Sequence, residues 1–154
     1  DFNLKYIPDF KSKKYYEERY FKHPFYNYKA LLLNDEIEKE VIFYRLVEFS
    51  GSSCIFFVDY LGAGHVLQKS HVALTEMMKN NSAEYILFLC HGIDEKYLLK
   101  AGFNNRRRSG DIVPVYYEPF LQKNIDILCA SRNNTITWAS FKGDADQDRP
   151  NVIC

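Results

Sequence analysis

Three aspartates alternate with other residues in the stretch GDADQDRPN at 143–151. In an extended strand Asp144, Asp146 and Asp148 would line one face about 7 Å apart, with the cation of Arg149 beside them. Hydroxyl-rich sugars suit such acceptors, so the stretch predicts a substrate clamp or a salt-bridge network that locks the fold, ahead of a solvated tail. A calcium loop ranks last, because the glycine that an EF-hand needs at position six is replaced by Arg149.

A second candidate is the stretch LGAGH at 61–65, which follows the apolar run CIFFVDY. Glycines let the backbone turn sharply and bring its N–H groups close to a ligand, and a helix N-terminus adds partial positive charge. We therefore expect a pyrophosphate site formed by Leu61, Gly62, Ala63, Gly64 and His65. The alternatives are a tight strand-to-helix turn without a ligand and, for His65, a solvated side chain.

Four further residues have side chains that could take part in acid–base chemistry or hold a substrate. His91 directly follows the run ILFLC and could act as a base near neutral pH, or bond to the backbone. Glu118 and Tyr117 lie in VYYEPF, where the carboxylate could orient a sugar, act as a base or remain a surface group. Arg45 stands in the apolar run EVIFYRLVEF and predicts a carboxylate or phosphate partner.

The elements that would position these residues follow from the apolar periodicity and from the turn signals. We expect helices over 12–22, 66–78 and 94–101, and strands over 24–33, 38–49, 53–61, 83–90, 112–117 and 135–141. Asn34-Asp35 and the SGSS stretch at 50–53 join the first three strands into an antiparallel meander, and Gly102 ends the third helix. The prediction is an α+β fold with a mainly antiparallel mixed sheet flanked by helices.

This order of elements resembles the GNAT acyltransferase superfamily. The family motif R/Q-x-x-G-x-G/A, whose amides hold the pyrophosphate of acyl-coenzyme A, is similar to residues 59–64, with Asp59 at its first position. LLKAGF at 98–103 is similar to the family's LYxxxGF, whose tyrosine often protonates the leaving thiolate. Leu98 holds that position and Tyr97 lies one residue earlier, an offset that turns a helical side chain by about 100°. Several further stretches resemble GNAT-like proteins encoded with bacterial surface-polysaccharide genes: YYEERYFKHPFYNY, FFVDYLG, AGF, YYEPF and GDADQDRPN.

The resemblance implies acyl transfer from acetyl-coenzyme A or another acyl-coenzyme A. The acceptor would be an amino or hydroxyl group of a surface-polysaccharide sugar or its nucleotide-linked precursor. His91, Glu118 and Tyr97 would be catalytic, residues 61–65 would bind the donor, and no metal is expected. Arg45, Tyr117, Asp144, Asp146, Asp148 and Arg149 would bind the acceptor. The alternative is a catalytically silent domain of this kind that binds a sugar or a partner protein, which Asp59 and Leu98 favour; a metal-dependent sugar enzyme is a third class.

The composition fits one globular domain over residues 1–154, since 47% of the 154 residues are hydrophobic and 26% are charged. A formal net charge of zero gives no support for a nucleic-acid partner. The apolar runs are too short for membrane insertion, and four cysteines without a CxxC pair suit a cytoplasmic protein without structural zinc. Because the chain starts without methionine, we expect it to be the C-terminal part of a longer protein, with an N-terminal domain as a further partner and 133–154 as an ordered extension.

Overall fold

The computed structural model describes residues 11–113, 116–117, 120–121, 123–124, 128 and 138–144. Its strands are β1 (Lys29–Asn34), β2 (Lys39–Phe49), β3 (Ser52–Leu61), β4 (Tyr85–Phe88), β5 (Cys90–His91), β6 (Tyr116–Tyr117), β7 (Phe120–Leu121) and β8 (Ser140–Phe141). Its helices are α1 (Lys13–Tyr16), α2 (His71–Asn80), α3 (Glu95–Lys100) and α4 (Arg106–Ser109). The expected α+β class is confirmed.

The main sheet has four strands in the order β1-β2-β3-β4. The first three are antiparallel neighbours, as the meander predicts. β4 adds to β3 in parallel, and α2 makes the crossover that a parallel connection needs. In the β2–β3 pair, Phe43 lies opposite Asp59 and Tyr44 lies opposite Phe57, so Val58 is the additional residue of a β-bulge.

Two hydrophobic clusters cover the two faces of the sheet, and β3 contributes to both of them. On one face, Phe43 stacks at ring-centroid distances of 4.9 Å on both Tyr16 and Tyr20. On the other face, α2 contributes Leu74 and Met77 to the second cluster. The seven consecutive buried residues of β3 therefore mark it as the centre of the fold.

The helix expected over 12–22 is present but changes its geometry midway. Ser12 caps α1 by accepting the N–H of Tyr15, and the chain continues as a π-helical turn over Glu17–Phe21. The strand expected from residue 24 is wrong over its first five residues. There the ring of His23 accepts the N–H groups of Phe25 and Tyr26 through Nδ1, at 3.2 and 3.0 Å, and holds a turn instead.

The single helix expected over 66–78 is also wrong. A short 3₁₀ turn over Leu67–Lys69 comes first, and α2 begins only at His71. The cause is Ser70, whose hydroxyl donates to the carbonyl of Leu67 at 2.7 Å and whose N–H bonds the same oxygen. The bend lets the chain leave the sheet before it crosses to β4.

The later elements are shorter than expected. The strand expected over 83–90 divides into β4, which pairs with β3, and β5, which pairs with β8. α3 is confirmed, with Asp94 as its N-cap and Gly102 in the left-handed region at φ 93°. Of the strand expected over 112–117 the described residues show β6, and of the one over 135–141 they show β8; residues 114–115 and 135–137 lie outside the described residues.

Candidate functional site

The loop that follows β3 already holds an anion, and that anion belongs to the chain. The carboxylate of Glu40 accepts the N–H of Ala63 at 3.1 Å and that of Gly64 at 2.8 Å through Oε1. Its Oε2 accepts the N–H of Leu67 at 2.6 Å. Glu40 is only 1% exposed, so these three bonds are made out of water. The amides expected to face a pyrophosphate therefore face a glutamate from β2.

The two glycines of the loop are required by close neighbours. A Cβ on Gly62 would lie 2.6 Å from Cγ of Glu40 and 2.7 Å from the hydroxyl of Tyr60. Gly64 has φ 91°, and a Cβ there would collide with the ring of Tyr97. From the sequence, we expect these glycines to let a ligand come close to the backbone. In the structure, the groups that come close to the backbone are the side chains of Glu40, Tyr60 and Tyr97.

Tyr60 completes the hydrogen bonding around this carboxylate. Its hydroxyl accepts the N–H of Gly64 at 2.9 Å and is also hydrogen-bonded to Glu40. Burial, followed by the bond to Glu40, raises the pKa of Tyr60 far above its ordinary value. The phenol stays protonated and can donate its proton to the carboxylate.

Asp59 does not lie in this loop, although the motif comparison placed it beside the phosphates. Its carboxylate accepts hydrogen bonds from Lys11 at 2.8 and 2.9 Å and from the hydroxyl of Tyr20 at 2.8 Å. Successive side chains of a strand point to opposite faces, so Asp59 and Tyr60 diverge. The negative charge that would oppose a pyrophosphate here is Glu40.

His65 and Tyr97 lie beside the glycine loop. The Nδ1 atom of His65 is 3.0 Å from Oε2 of Glu38, and its ring meets that of Tyr97 edge-on at 5.4 Å. His65 lies in the turn that precedes the 3₁₀ turn over Leu67–Lys69. Tyr97 packs its ring over Gly64, which makes it part of the wall of the loop.

His91 lies on β5, beside β8. Its exposed imidazole lies against the indole of Trp138, with ring centroids 4.4 Å apart and ring planes tilted by 34°. The backbone of His91 is opposite Ser140, in a different sheet from the strand that leads into the glycine loop. His91 therefore belongs to the two-stranded sheet with β8, whereas Tyr97 belongs to α3 and packs on the glycine loop.

The residues expected to bind the acceptor sugar lie partly within the described part of the chain. The guanidinium of Arg45 lies 4.1 Å from the ring centroid of Tyr26, a cation–π contact in addition to any anionic partner. Tyr117 belongs to β6, which pairs with β7. Glu118, Asp146, Asp148 and Arg149 lie outside the described residues.

Asp144 is held in a salt-bridge network. It ends a 3₁₀ turn over Lys142–Asp144, so the extended geometry that gives a spacing of about 7 Å does not apply at this residue. Its Oδ1 lies 2.7 Å from Nζ of Lys11, and its Oδ2 accepts the N–H of Phe141 at 2.8 Å. Lys11 lies between Asp144 and Asp59, which ties the segment after residue 138 to the central strand.

A pocket of about 540 Å³ lies along β4. Aromatic and aliphatic side chains from four elements line it, among them Leu74, Met78, Ile86, Phe88, Leu98 and Phe103. Its polar lining includes His71, Thr75, Asn104, Asn105 and Arg107. The size and the mixture of rings with a few polar groups are typical of small-molecule sites.

Sequence reasoning missed Glu40, Lys11 and the pocket. Glu40 did leave a signal, because it shares strand parity with Ile42 and so places a charge on an apolar face. The pocket left none, since its lining comes from α2, β4, α3 and the segment that follows α3.

Within the described part of the chain, no three His, Cys, Asp or Glu side chains are grouped so that they could hold a metal ion. The described helices are all too short or too polar to cross a bilayer. Comparison of the chain with protein-family models, with curated proteins and with solved structures returns no match.

Proposed function

We propose that the chain is a binding domain with a GNAT-like order of elements, which takes a sugar or nucleotide-linked sugar in the pocket along β4 and does not transfer acyl groups. The observation that carries the proposal is the pocket itself. It has the volume of a ligand site, and it brings together aromatic rings and polar groups that the chain supplies from distant positions.

The lining suits the two kinds of surface that a sugar ring presents. A pyranose has apolar C–H faces, which pack on aromatic rings such as those of Phe88 and Phe103, with centroids 6.0 Å apart. Its hydroxyls need donors and acceptors, which Thr75 and the exposed Asn104 can provide. The exposed guanidinium of Arg107 gives the same pocket a cation for a phosphate or carboxylate on the sugar.

The glycine loop weighs against acyl transfer. A pyrophosphate at the amides of Ala63, Gly64 and Leu67 would have to displace Glu40, or share those amides with a buried carboxylate of the same sign. Like charges repel strongly at such distances in a medium of low dielectric constant. The alternative reading of the sequence, a silent domain that binds a sugar, agrees with this arrangement.

One observation favours acyl transfer as a second candidate. The amides of the loop do converge on one anion, which is the geometry that a pyrophosphate requires. In this second proposal acyl-coenzyme A displaces Glu40, and the acceptor is the sugar. Isothermal titration with acetyl-coenzyme A decides between the two candidates. We expect no heat of binding, and a saturable heat would favour the transferase.

The sugar proposal is tested by two-dimensional NMR titration with neutral hexoses, N-acetylhexosamines, uronic acids and their UDP-linked forms. We expect saturable shifts for residues of the pocket with at least one class. Asn104→Ala should weaken that binding about 3–10-fold. Asn80→Ala, at an exposed position at the end of α2, is the matched control and should not change it. No shift in the pocket with any class at millimolar concentration would refute the proposal.

A further inference from the structure

We infer that the loop at 62–67 is an anion-binding site which the chain fills with its own carboxylate. Glu40 acts as an internal ligand, and when that carboxylate is removed the loop takes a small external carboxylate or phosphate. The inference concerns a different part of the molecule from the pocket along β4, and it holds whether or not that pocket binds a sugar.

Backbone N–H donors of the loop converge on one carboxylate. Three N–H groups from a stretch of five residues, Ala63, Gly64 and Leu67, are directed at the two oxygens of one side chain. Successive amides that point into one concave turn form a nest for negative charge. The loop therefore presents a positive surface whose shape is set by its own backbone.

The group that these amides hold is a buried carboxylate. Glu40 is 1% exposed, and the contacts around its carboxylate come from backbone amides and the phenol of Tyr60. A buried carboxylate is retained only where hydrogen bonds replace its hydration. Its presence shows that the loop amides can take the place of water around a buried carboxylate.

Glu40 belongs to a different element from the loop that it bonds. It is on β2, opposite Leu33 of β1, and reaches the amides only through its side chain. Truncation at Cβ therefore leaves β2 and its pairing in place and opens a space of carboxylate size. The N–H groups of Ala63 and Leu67 then lose their acceptor, while that of Gly64 keeps the hydroxyl of Tyr60. An anion of the right size would restore these hydrogen bonds, since Gly62 has no Cβ to occupy the space that the Glu40 side chain leaves.

The experiment uses Glu40→Ala, with Glu38→Ala as the control for a glutamate two residues away that is exposed and bonds His65. Thermal unfolding is followed in sodium acetate, sodium phosphate and sodium chloride at matched ionic strength. We expect Glu40→Ala to lower the Tm by about 6–12 °C. Acetate or phosphate should recover at least half of that loss with saturation, beyond the general, non-saturating rise that the same salt gives wild type and Glu38→Ala.

Amide NMR gives a second readout at the site itself. In Glu40→Ala, the signals of Ala63, Gly64 and Leu67 should shift with acetate or phosphate along the same saturation curve as the Tm. Equal effects of the three salts on Glu40→Ala, or shifts that bypass these amides, would refute the inference.

A variant that fails to fold also gives a result. Glu40→Ala should then refold in acetate or phosphate and not in chloride, and failure in all three salts would count against the inference. Glu40→Gln keeps the shape but places an amide group among donors, so its Tm should lie below that of Glu38→Gln. Equal Tm values for these two variants would show that the loop does not require the charge.

Discussion

The ammonium group of Lys11 lies 2.8 Å from the carboxylate of Asp59, 48 residues further along the chain, and the two side chains are 5% and 0% exposed. Asp144 completes the arrangement at 2.7 Å from the same nitrogen. Removal of one partner from a buried ion pair leaves an uncompensated charge, whereas removal of both need not. The central strand is thus joined by one cation to segments at both ends of the described chain.

Lys11→Met should destabilise the protein by about 3–5 kcal/mol, because Asp59 then remains buried without its cation. The double variant Lys11→Met/Asp59→Asn should recover a substantial part of that loss, since the charge that needs compensation is also gone. Urea unfolding of both single variants, the double variant and wild type measures the coupling. Simple additivity of the two single effects would contradict the ion pair.

The contribution of Lys11 should disappear in alkali. Burial by itself lowers the pKa of this lysine, but the nearby carboxylates of Asp59 and Asp144 raise it above the ordinary value of 10.5. A folded pKa above the unfolded one gives stability that is complete below the unfolded pKa and is lost as the pH rises through the folded pKa. The difference in unfolding free energy between wild type and Lys11→Met should therefore stay constant from pH 7 to 9 and shrink above about pH 10.5. A difference that grows with pH would contradict this assignment.

Gly143→Ala should destabilise the protein because the added methyl group has no room. A Cβ at Gly143 would collide with the hydroxyl of Tyr20 and lie 2.8 Å from the carbonyl oxygen of Val58. Overpacking of this kind costs about 1–3 kcal/mol. Tyr20→Phe removes the hydroxyl, so Gly143→Ala should cost less in that background than in wild type. Chemical denaturation of the four proteins gives the comparison, and an equal cost in both backgrounds would place residue 143 away from Tyr20.

Two thiols should be inert. Burial raises the pKa of both Cys54 and Cys90 to about 12, and the bond from Tyr85 offsets this only in part at Cys54. At pH 8 about one thiol in ten thousand would be ionised, and the thiolate is the reactive form. Iodoacetamide followed by peptide mass spectrometry should leave both residues unmodified in the native protein and alkylate both in urea. Rapid native alkylation of either one would contradict its raised pKa.

The sequence predicts the local elements of the fold better than the partners of its polar groups. The meander of β1, β2 and β3 is predictable because alternating apolar residues and short turns are contiguous signals. The cap at Asp94 and the end of α3 at Gly102 are local in the same way. The break at Ser70 is missed, because an apolar helical period continues across it while one hydroxyl bonds backward.

The site is harder to predict because its partners are distant in sequence. Glu40 and Gly64 are 24 residues apart, and nothing in the motif indicates that a carboxylate from β2 fills the loop. The partner of Asp144 is equally hard to predict. Its charge and spacing are visible in the sequence, but the choice between a sugar and a salt bridge depends on Lys11, which comes from the other end of the chain. Motif spacing therefore located the loop but carried no signal of the Glu40 carboxylate that bonds its amides.

The insertion of Phe141, Gly143 and Asp144 beside β3 has a consequence for the order of events during translation. Phe141 is 7% exposed and stacks on Phe88 of β4 at 5.9 Å, so the ring of Phe88 lacks this contact until the segment leaves the ribosome. A nascent chain can form the meander early, but it exposes apolar surface and two buried charges until residue 144 has been made. We expect chaperones to bind nascent chains that are arrested before residue 138 more strongly than chains that extend past residue 144.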